Sequence, residues 1–430
     1  MEQFKYPKAD DWEQLLKRPA ASYESLEATV NEIFSEVKNK GNAAVAKYTQ
    51  LFDGIELDTF QLSQKTIEAA EENVSEALKK AIQLAKENIQ RFHTAQITSK
   101  ITVETTQGVQ CWQEKRPIQK VGLYIPGGSA PLFSTVLMLA IPATIAGCDE
   151  IVLCTPPNKQ GEVEPAIVYT AALCGVTKIF TLGGIQAIAA MTFGTETIPA
   201  VYKLFGPGNQ FVTVAKQMAT KYGVAIDMPA GPSELLLFAD DSANTDFVAS
   251  DLLSQAEHGA DSQVVLVTTS EAIQKQVAMA VASQLNDLPR KEIAAKAMAN
   301  SKSVLVENNE QAIALINAYA PEHFILIATN EDYFLKNLHN AGSVFIGNYT
   351  PESAGDYASG TNHTLPTNGY ARQYSGVNLD SFMKSMTFQK ISEKGLLNIG
   401  PAIETMAAAE GLQAHKNAVT LRLKSLRNEE

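Results

Sequence analysis

The chain lacks an excess of positive charge, a paired-cysteine pattern and any apolar run long enough to cross a bilayer. Its 35 Lys and Arg stand against 47 Asp and Glu, a net charge of −12, which argues against nucleic acid or an anionic membrane as the main partner. That sign leaves room for an anionic cofactor, because a few local N–H donors hold a phosphate whatever the total charge. The most apolar stretch, Val136–Gly147, runs for about a dozen residues and carries Pro142, whereas a membrane span needs about 20. The cysteines Cys111, Cys148, Cys154 and Cys174 form no CxxC pair and sit in apolar surroundings, the pattern of buried reduced thiols in a cytosolic protein. The opening MEQFKYPKADDWEQLLKRPA contains acids and no apolar h-region, which predicts no secretory signal. Disorder is excluded for the bulk of the chain as well, since 45% of residues are apolar and only 19% charged. The expectation is a soluble cytoplasmic globular protein, and 430 residues at about 150 per domain suggest two or three domains.

From Glu24 to Gln107 the pattern is helical, and the repeat in ESLEATVNEIFSEVKNKG stops at Gly41, a natural residue to follow a helix. A strand is predicted over Gly108–Ile118. Short apolar runs then alternate with helical segments: KVGLYIPGG, DEIVLCTPP, VTKIFTLGG, AVYKLFGPG and GVAIDMP read as strands, each pair separated by a helix. Such alternation implies a parallel sheet with right-handed crossovers. The pattern restarts at SELLLFAD and runs through SQVVLVTTS, KSVLVE, EHFILIAT and AGSVFIGN, so a boundary is expected near Pro229–Pro232. After Asn348 the chain holds Gly, Pro, Ser, Thr and Asn with little periodicity, and loops that long are usually functional. From about Asn378 it reads as strand and then helix, a tail too small and polar to fold alone.

The fold class predicted is α/β: two tandem Rossmann-like, incomplete doubly wound domains with a helical N-terminal segment and a small C-terminal tail. The divisions are 1–26 for the helical segment, 27–121 with 233–377 for the first α/β domain, 122–232 for a second one inserted in it, and 378–430 for the tail.

Two glycine-rich turns stand between a strand and a helix, where backbone N–H groups favour a pyrophosphate: Ile125-Pro126-Gly127-Gly128-Ser129 and Gly206-Pro207-Gly208-Asn209-Gln210-Phe211. The second, G-x-G-x-x-F, is one residue short of the dinucleotide fingerprint, and no acid is clearly placed about twenty positions on to read a ribose. A plain tight turn fits this pattern equally well. Of six histidines, His93 and His339 read as structural or surface residues. The other four stand among partners. Gln255 and His258 share a helical face at i, i+3; Glu322 and His323 separate a helix from a strand; Asp356 and His363 share the irregular loop; Glu410 and His415 lie on the tail helix. Imidazole, carboxylate and amide without thiolate suit a borderline divalent ion such as Zn²⁺, although no compact zinc motif is present.

The stretches GLYIPGGSAPL, FGPGNQFV, DMPAGPSELL, DLLSQAEHG, NAYAPEHF, GSVFIGNYTPESAGDYASGTNHTLPT and AAAEGLQAHKNAV, in order between residues 122 and 419, resemble the histidinol dehydrogenase family. The N-terminal hundred residues resemble it more loosely. The resemblance implies a zinc enzyme that oxidises L-histidinol to L-histidine through the aldehyde with two NAD⁺, in the last steps of histidine biosynthesis. It implies one Zn²⁺ per subunit held by Gln255, His258, Asp356 and His415, which also contact substrate. Ser233, His363 and Glu410 match other substrate-holding positions, Tyr124, Gln186 and Asn209 match NAD contacts, and Glu322 with His323 matches the catalytic pair, His323 also touching substrate. It further implies a homodimer in which the tail crosses to the other subunit, so that active sites are shared. Two other classes compete: a metal-dependent hydrolase using the same side chains without nucleotide, and a two-lobed solute-binding protein, which would normally carry an export signal.

Overall fold

The computed structural model describes residues 1–19, 24–127, 131–229 and 231–427. Gly128 and Ser129 of the first glycine-rich turn, and Ala230 at the expected boundary, lie outside the described residues. Along the chain the strands are β1 (Glu2–Lys5), β2 (Ile101–Thr106), β3 (Val109–Pro117), β4 (Lys120–Tyr124), β5 (Glu150–Thr155), β6 (Lys178–Thr181) and β7 (Lys203–Phe205). They continue as β8 (Ala225–Ile226), β9 (Glu234–Ala239), β10 (Gln263–Thr268), β11 (Lys302–Leu305), β12 (His323–Ile327), β13 (Ser343–Ile346) and β14 (Met383–Ile391).

Two parallel sheets result. One is ordered β6-β5-β4-β7-β8 and the other β1-β11-β10-β9-β12-β13. Apart from the added β1, both follow one scheme: the first strand lies centrally, the next two extend to one side and the last two to the other. This is the half-Rossmann order, with a crossover reversal between β4 and β7 and again between β9 and β12.

In β9 all six residues are buried because helices cover both faces. The two-residue period sends Leu235, Leu237 and Ala239 to one core and Leu236 and Phe238 to the other. The helix Phe133–Ala146 is apolar all round and correspondingly buried on nearly every side, with Pro142 inside it. Among the described residues no helix is long and apolar enough to cross a membrane.

Three elements differ from the sequence reading. Glu2–Lys5, in the segment expected to be helical, is a strand paired in parallel with β11, because an exposed sheet edge accepts any extended segment without proline. Ile101–Thr106, at the end of the expected helical run, is a strand paired antiparallel with β3; its run of β-branched residues favours that. The loop after Asn348 contains a short helix, Glu352–Tyr357, started by Pro351. The helix Glu24–Lys40 does stop at Gly41, whose φ is +51°.

Two compact units divide the chain: residues 1–96 with 118–382, and residues 97–117 with 383–430. The first holds both parallel sheets. In the second, β2, β3 and β14 form an antiparallel sheet in which Trp112 stacks on Phe388 at 5.2 Å, and the helices Glu393–Ala409 and Gln413–Arg427 pack together.

Arg18 ties the N-terminal segment to the six-stranded sheet. Its guanidinium pairs with Glu234 at 2.5 Å, donates to the Tyr319 carbonyl at 2.7 Å and lies 4.0 Å over the Tyr319 ring. Burial pulls the guanidinium pKa down, but the Glu234 carboxylate more than offsets this and raises it, so Arg18 stays charged; burial raises the Glu234 carboxyl pKa, and Arg18 opposes that rise. Arg18→Met strands a buried carboxylate and is expected to cost about 3–5 kcal/mol of stability. A denaturant midpoint that moved by less than the equivalent of about 1 kcal/mol would refute this role.

Candidate active site

The residues with chemistry gather where the chain passes from one parallel sheet to the other. A cavity of about 110 Å³ is lined by the turn Gly206–Gly208, by Asp227 and Ser233 on the connecting segment, by Glu322, and by His363 and Thr367 of the long loop. The turn follows β7, so it lies at the carboxyl edge of its sheet, whereas Ser233 and Glu322 precede β9 and β12 at the amino edge of theirs. The second sheet thus contributes the edge opposite to the one open α/β sheets usually present to ligands.

Glu322 and His323 are held from below by β9. The Glu234 N–H donates to Glu322 Oε2 at 2.9 Å, and the Glu234 carbonyl lies 3.3 Å from His323 Nδ1. That carbonyl can only accept, so Nδ1 carries the imidazole proton and Nε2 presents its lone pair. Nε2 is buried without a hydrogen-bond partner among the described residues, 3.8 Å from Asp356 Oδ1. Burial lowers the His323 pKa to about 4, only partly opposed by the Asp356 charge, so the ring is neutral at pH 7. Burial likewise drives the Glu322 carboxyl well above its ordinary value, with the Glu234 and Asp356 charges adding to the rise.

Asp356 sits at the end of the short helix. Its carbonyl lies 2.9 Å from His363 Nδ1, and His363 Nε2 reaches Thr135 Oγ1 at 3.1 Å. Burial lowers the His363 pKa, against the raising effect of Asp356. His258, exposed just beyond the helix Thr245–Ala256, is near enough to disfavour protonation of both His323 and His363. Gln255, fully buried on that helix, orients its amide so that the nitrogen donates to Glu352 and the oxygen accepts from the Glu234 N–H at 3.2 Å.

Gln255, His258, Glu322, His323, Asp356 and His363 are therefore brought to one place, with Ser233 on the same cavity as Glu322 and His363. Glu410 and His415 belong to the second unit and do not share one tail helix as the sequence suggested: Gly411, at φ +72°, breaks the run, so Glu410 closes the helix Glu393–Ala409 and His415 stands in the first turn of Gln413–Arg427; both are exposed.

Glu352 was missed by sequence reasoning. It is buried, lies 3.5 Å from His323 Nδ1, and with His323 and Asp356 presents three ligating atoms within 4.8 Å of one another. Burial pushes its carboxyl well above the ordinary range, and the charges of Asp356, Glu322 and Asp251 push further. One signal could have found it: Glu352 precedes Asp356 by four residues, the spacing that puts two side chains on one helical face.

The G-x-G turn is more than a tight bend. Gly206 has φ +128°, and a Cβ there would collide with the Tyr124 carbonyl at 2.0 Å. A buried ion pair braces it: Lys216 Nζ lies 2.5 Å from Asp227 Oδ1 and donates to the Gly206 carbonyl at 2.7 Å, while Asp227 Oδ2 accepts from the Gly206 N–H at 2.8 Å. Asn209 caps the following helix, accepting from the Val212 N–H at 3.1 Å.

A sequence profile described as histidinol dehydrogenase matches residues 16–423. A curated histidinol dehydrogenase of Bacteroides thetaiotaomicron is 58% identical over 427 residues, covering 99% of this chain and 100% of that protein. This chain belongs to the histidinol dehydrogenase family. The Escherichia coli K12 member is 51% identical over 424 residues, covering 98% of this chain and 97% of its own. A crystal structure of the Elizabethkingia anophelis member superposes with a TM-score of 0.97 at 56% identity, covering 99% of both chains.

Family membership makes the protein an oxidoreductase, and the metal-dependent hydrolase alternative finds no support. All four cysteines are free. Burial raises the thiol pKa of Cys148, Cys154 and Cys174, so these three are not nucleophiles near neutral pH.

Proposed function

We propose that this chain oxidises L-histidinol to L-histidine through the aldehyde, reducing two NAD⁺, at a site that takes one Zn²⁺ per subunit. The observation that carries the reading is the convergence of His323 and Glu322 with Gln255, His258 and Asp356, beside a glycine turn and in a chain of this family.

The donor set fits zinc. It offers imidazole, carboxylate and amide with no thiolate, and the buried Nε2 of His323, unpartnered among the described residues, marks a polar pocket built for a ligand. Gln255, His258 and Asp356 would hold the ion, with His415 reaching it from the tail of a second copy; exposure of His415 and Glu410 in the single chain supports that assignment. The half-Rossmann sheet and the Gly206–Gly208 turn fit a dinucleotide, with Tyr124, Gln186 and Asn209 as its contacts. Bound zinc supplies a fixed anchor for the substrate's amine and imidazole nitrogens, and bound NAD⁺ supplies the hydride acceptor for each oxidation.

The chain's own side chains move the protons. His323, neutral and with Nε2 unprotonated, takes the alcohol proton as the carbinol hydride departs. Water then adds to the aldehyde: Glu322, on the cavity beside His323, takes the water proton when ionised while the carbonyl oxygen takes the proton that His323 had accepted, and the gem-diol so formed is ready for loss of the second hydride, with His323 free to take a proton again. Ser233, His363 and Glu410 hold the substrate. The aldehyde stays bound between the steps, which protects a reactive amino-aldehyde from bulk water.

Two further proposals stand with this reading. One is a homodimer whose 378–430 tail docks on the partner, with 1–26, 27–121 plus 233–377, and inserted 122–232 as the other divisions. The other is a cytoplasmic location.

The test is a histidinol-dependent NADH assay on protein stripped with a chelator. No NADH is expected until zinc is restored, and then two NADH per histidinol. Full turnover by metal-free protein, or none after zinc is returned, would overturn the reading.

A further inference from the structure

The adenosine end of a dinucleotide needs a group to read its ribose, and the expected position after the glycine turn does not supply one. An acid does stand at about that distance, contrary to the sequence reading: Asp227, 21 residues beyond Gly206, is almost fully buried and engaged by Lys216 and by the N–H groups of Gly206 and Met228. It has no free oxygen to offer a ribose.

A different carboxylate stands near the other side of the same sheet edge. Tyr124 ends β4, and its hydroxyl accepts from the Gly184 N–H at 3.1 Å, where the helix Gly184–Phe193 begins after β6. Gln186, in the first turn of that helix, is 1% exposed, and its Oε1 has no hydrogen-bond partner among the described residues. Its Nε2 lies 3.5 Å from Asp53 Oδ2. Asp53 is the last residue of the helix Asn42–Asp53, half-buried, and forms no ion pair among the described residues. A carboxylate at the negative end of a helix, partly desolvated and without a cation, is unfavourable as structure and needs another reason. Phe52, beside it in sequence, leaves 52% of its surface exposed.

We infer that Asp53 reads the adenosine ribose of the cofactor, accepting from its 2′- and 3′-hydroxyls, and thereby selects NAD over NADP. This rests on Tyr124 and Gln186 being cofactor contacts. Topology assigns the end of the dinucleotide. The reacting nicotinamide must face His323 and Glu322, and Glu322 lines the same cavity as the turn Gly206–Gly208 after β7. Gly184 follows β6, at the opposite edge of the order β6-β5-β4-β7-β8, so a dinucleotide laid across the carboxyl edge brings its adenosine toward Gln186 and Asp53. A carboxylate accepts two bonds from a vicinal diol and repels the charge of a 2′-phosphate.

The test is equilibrium titration of the intact protein with NADH and with NADPH, followed by nucleotide fluorescence without turnover. Wild type is expected to prefer NADH. Asp53→Asn should weaken NADH about tenfold and narrow its advantage over NADPH by more than that, while Asp53→Glu, which keeps the charge, should retain discrimination. Gln186→Leu should weaken both nucleotides. Wild type that binds both equally, or Asp53→Asn affinities within twofold of wild type, would overturn the role of Asp53. Gln186→Leu with unchanged NADH affinity would instead overturn the cofactor reading on which it rests.

Discussion

His323→Asn is expected to lower histidinol turnover by about 10³-fold, the scale at which a positioned general base contributes. The amide can still donate toward the Glu234 carbonyl that anchors Nδ1, so the fold should survive, but no atom replaces the unprotonated Nε2. Glu322→Gln tests the division of labour. It retains an acceptor for the Glu234 N–H and loses the ability to take a proton from water. Supplying alcohol and aldehyde separately distinguishes the two variants. His323→Asn should impair both oxidations, and Glu322→Gln should mainly slow oxidation of the aldehyde. A loss under tenfold for His323→Asn would remove it from the proton path, and a larger alcohol-step loss for Glu322→Gln would reverse the two roles.

The second large effect concerns the tail. His258→Ala and His415→Ala chains should each be almost inactive, yet mixing them should restore activity. In a mixed dimer with crossed tails, one site combines an intact His258 with an intact His415 while the other carries both defects. Random exchange makes half the dimers mixed, so about a quarter of the wild-type activity is expected. Exchange must be verified independently, for instance with differently tagged chains. Proven mixed dimers without recovered activity would sink the shared site.

Much of the fold was legible because secondary structure follows local periodicity. The run from KVGLYIPGG to AGSVFIGN alternates apolar strands with helices, and every strand named from it appears, down to the two residues of β8. Misreadings fell where local pattern is weak. Glu2–Lys5 becomes a strand only because β11 presents a free edge, a fact about a partner 300 positions away in register with it. Ile101–Thr106 is wholly exposed, so burial left no two-sided signature to separate it from the helices before it.

The candidate site divides in the same way. His258, His323, Asp356 and His363 stood out because histidines are scarce and each had a polar neighbour in sequence. Glu352, Lys216, Asp227 and Asp53 did not, since an acid or lysine among 82 charged side chains carries no local mark. What distinguishes them is burial beside another charge, or the absence of one, and both are tertiary properties.

The order of residues along the chain thus determined the α/β class, the strands, the glycine turn and the side-chain types available for proton transfer and metal ligation. Strand order decided which of those side chains meet. The β9–β12 pairing sets Glu234 beside Glu322 and His323, and the packing of a short loop helix brings Glu352 and Asp356 over them. Spacing in sequence cannot encode that, because contacts between distant segments are fixed by how cores bury their apolar faces. The burial that leaves His323 neutral and Glu322 reluctant to ionise exists only once those faces have closed.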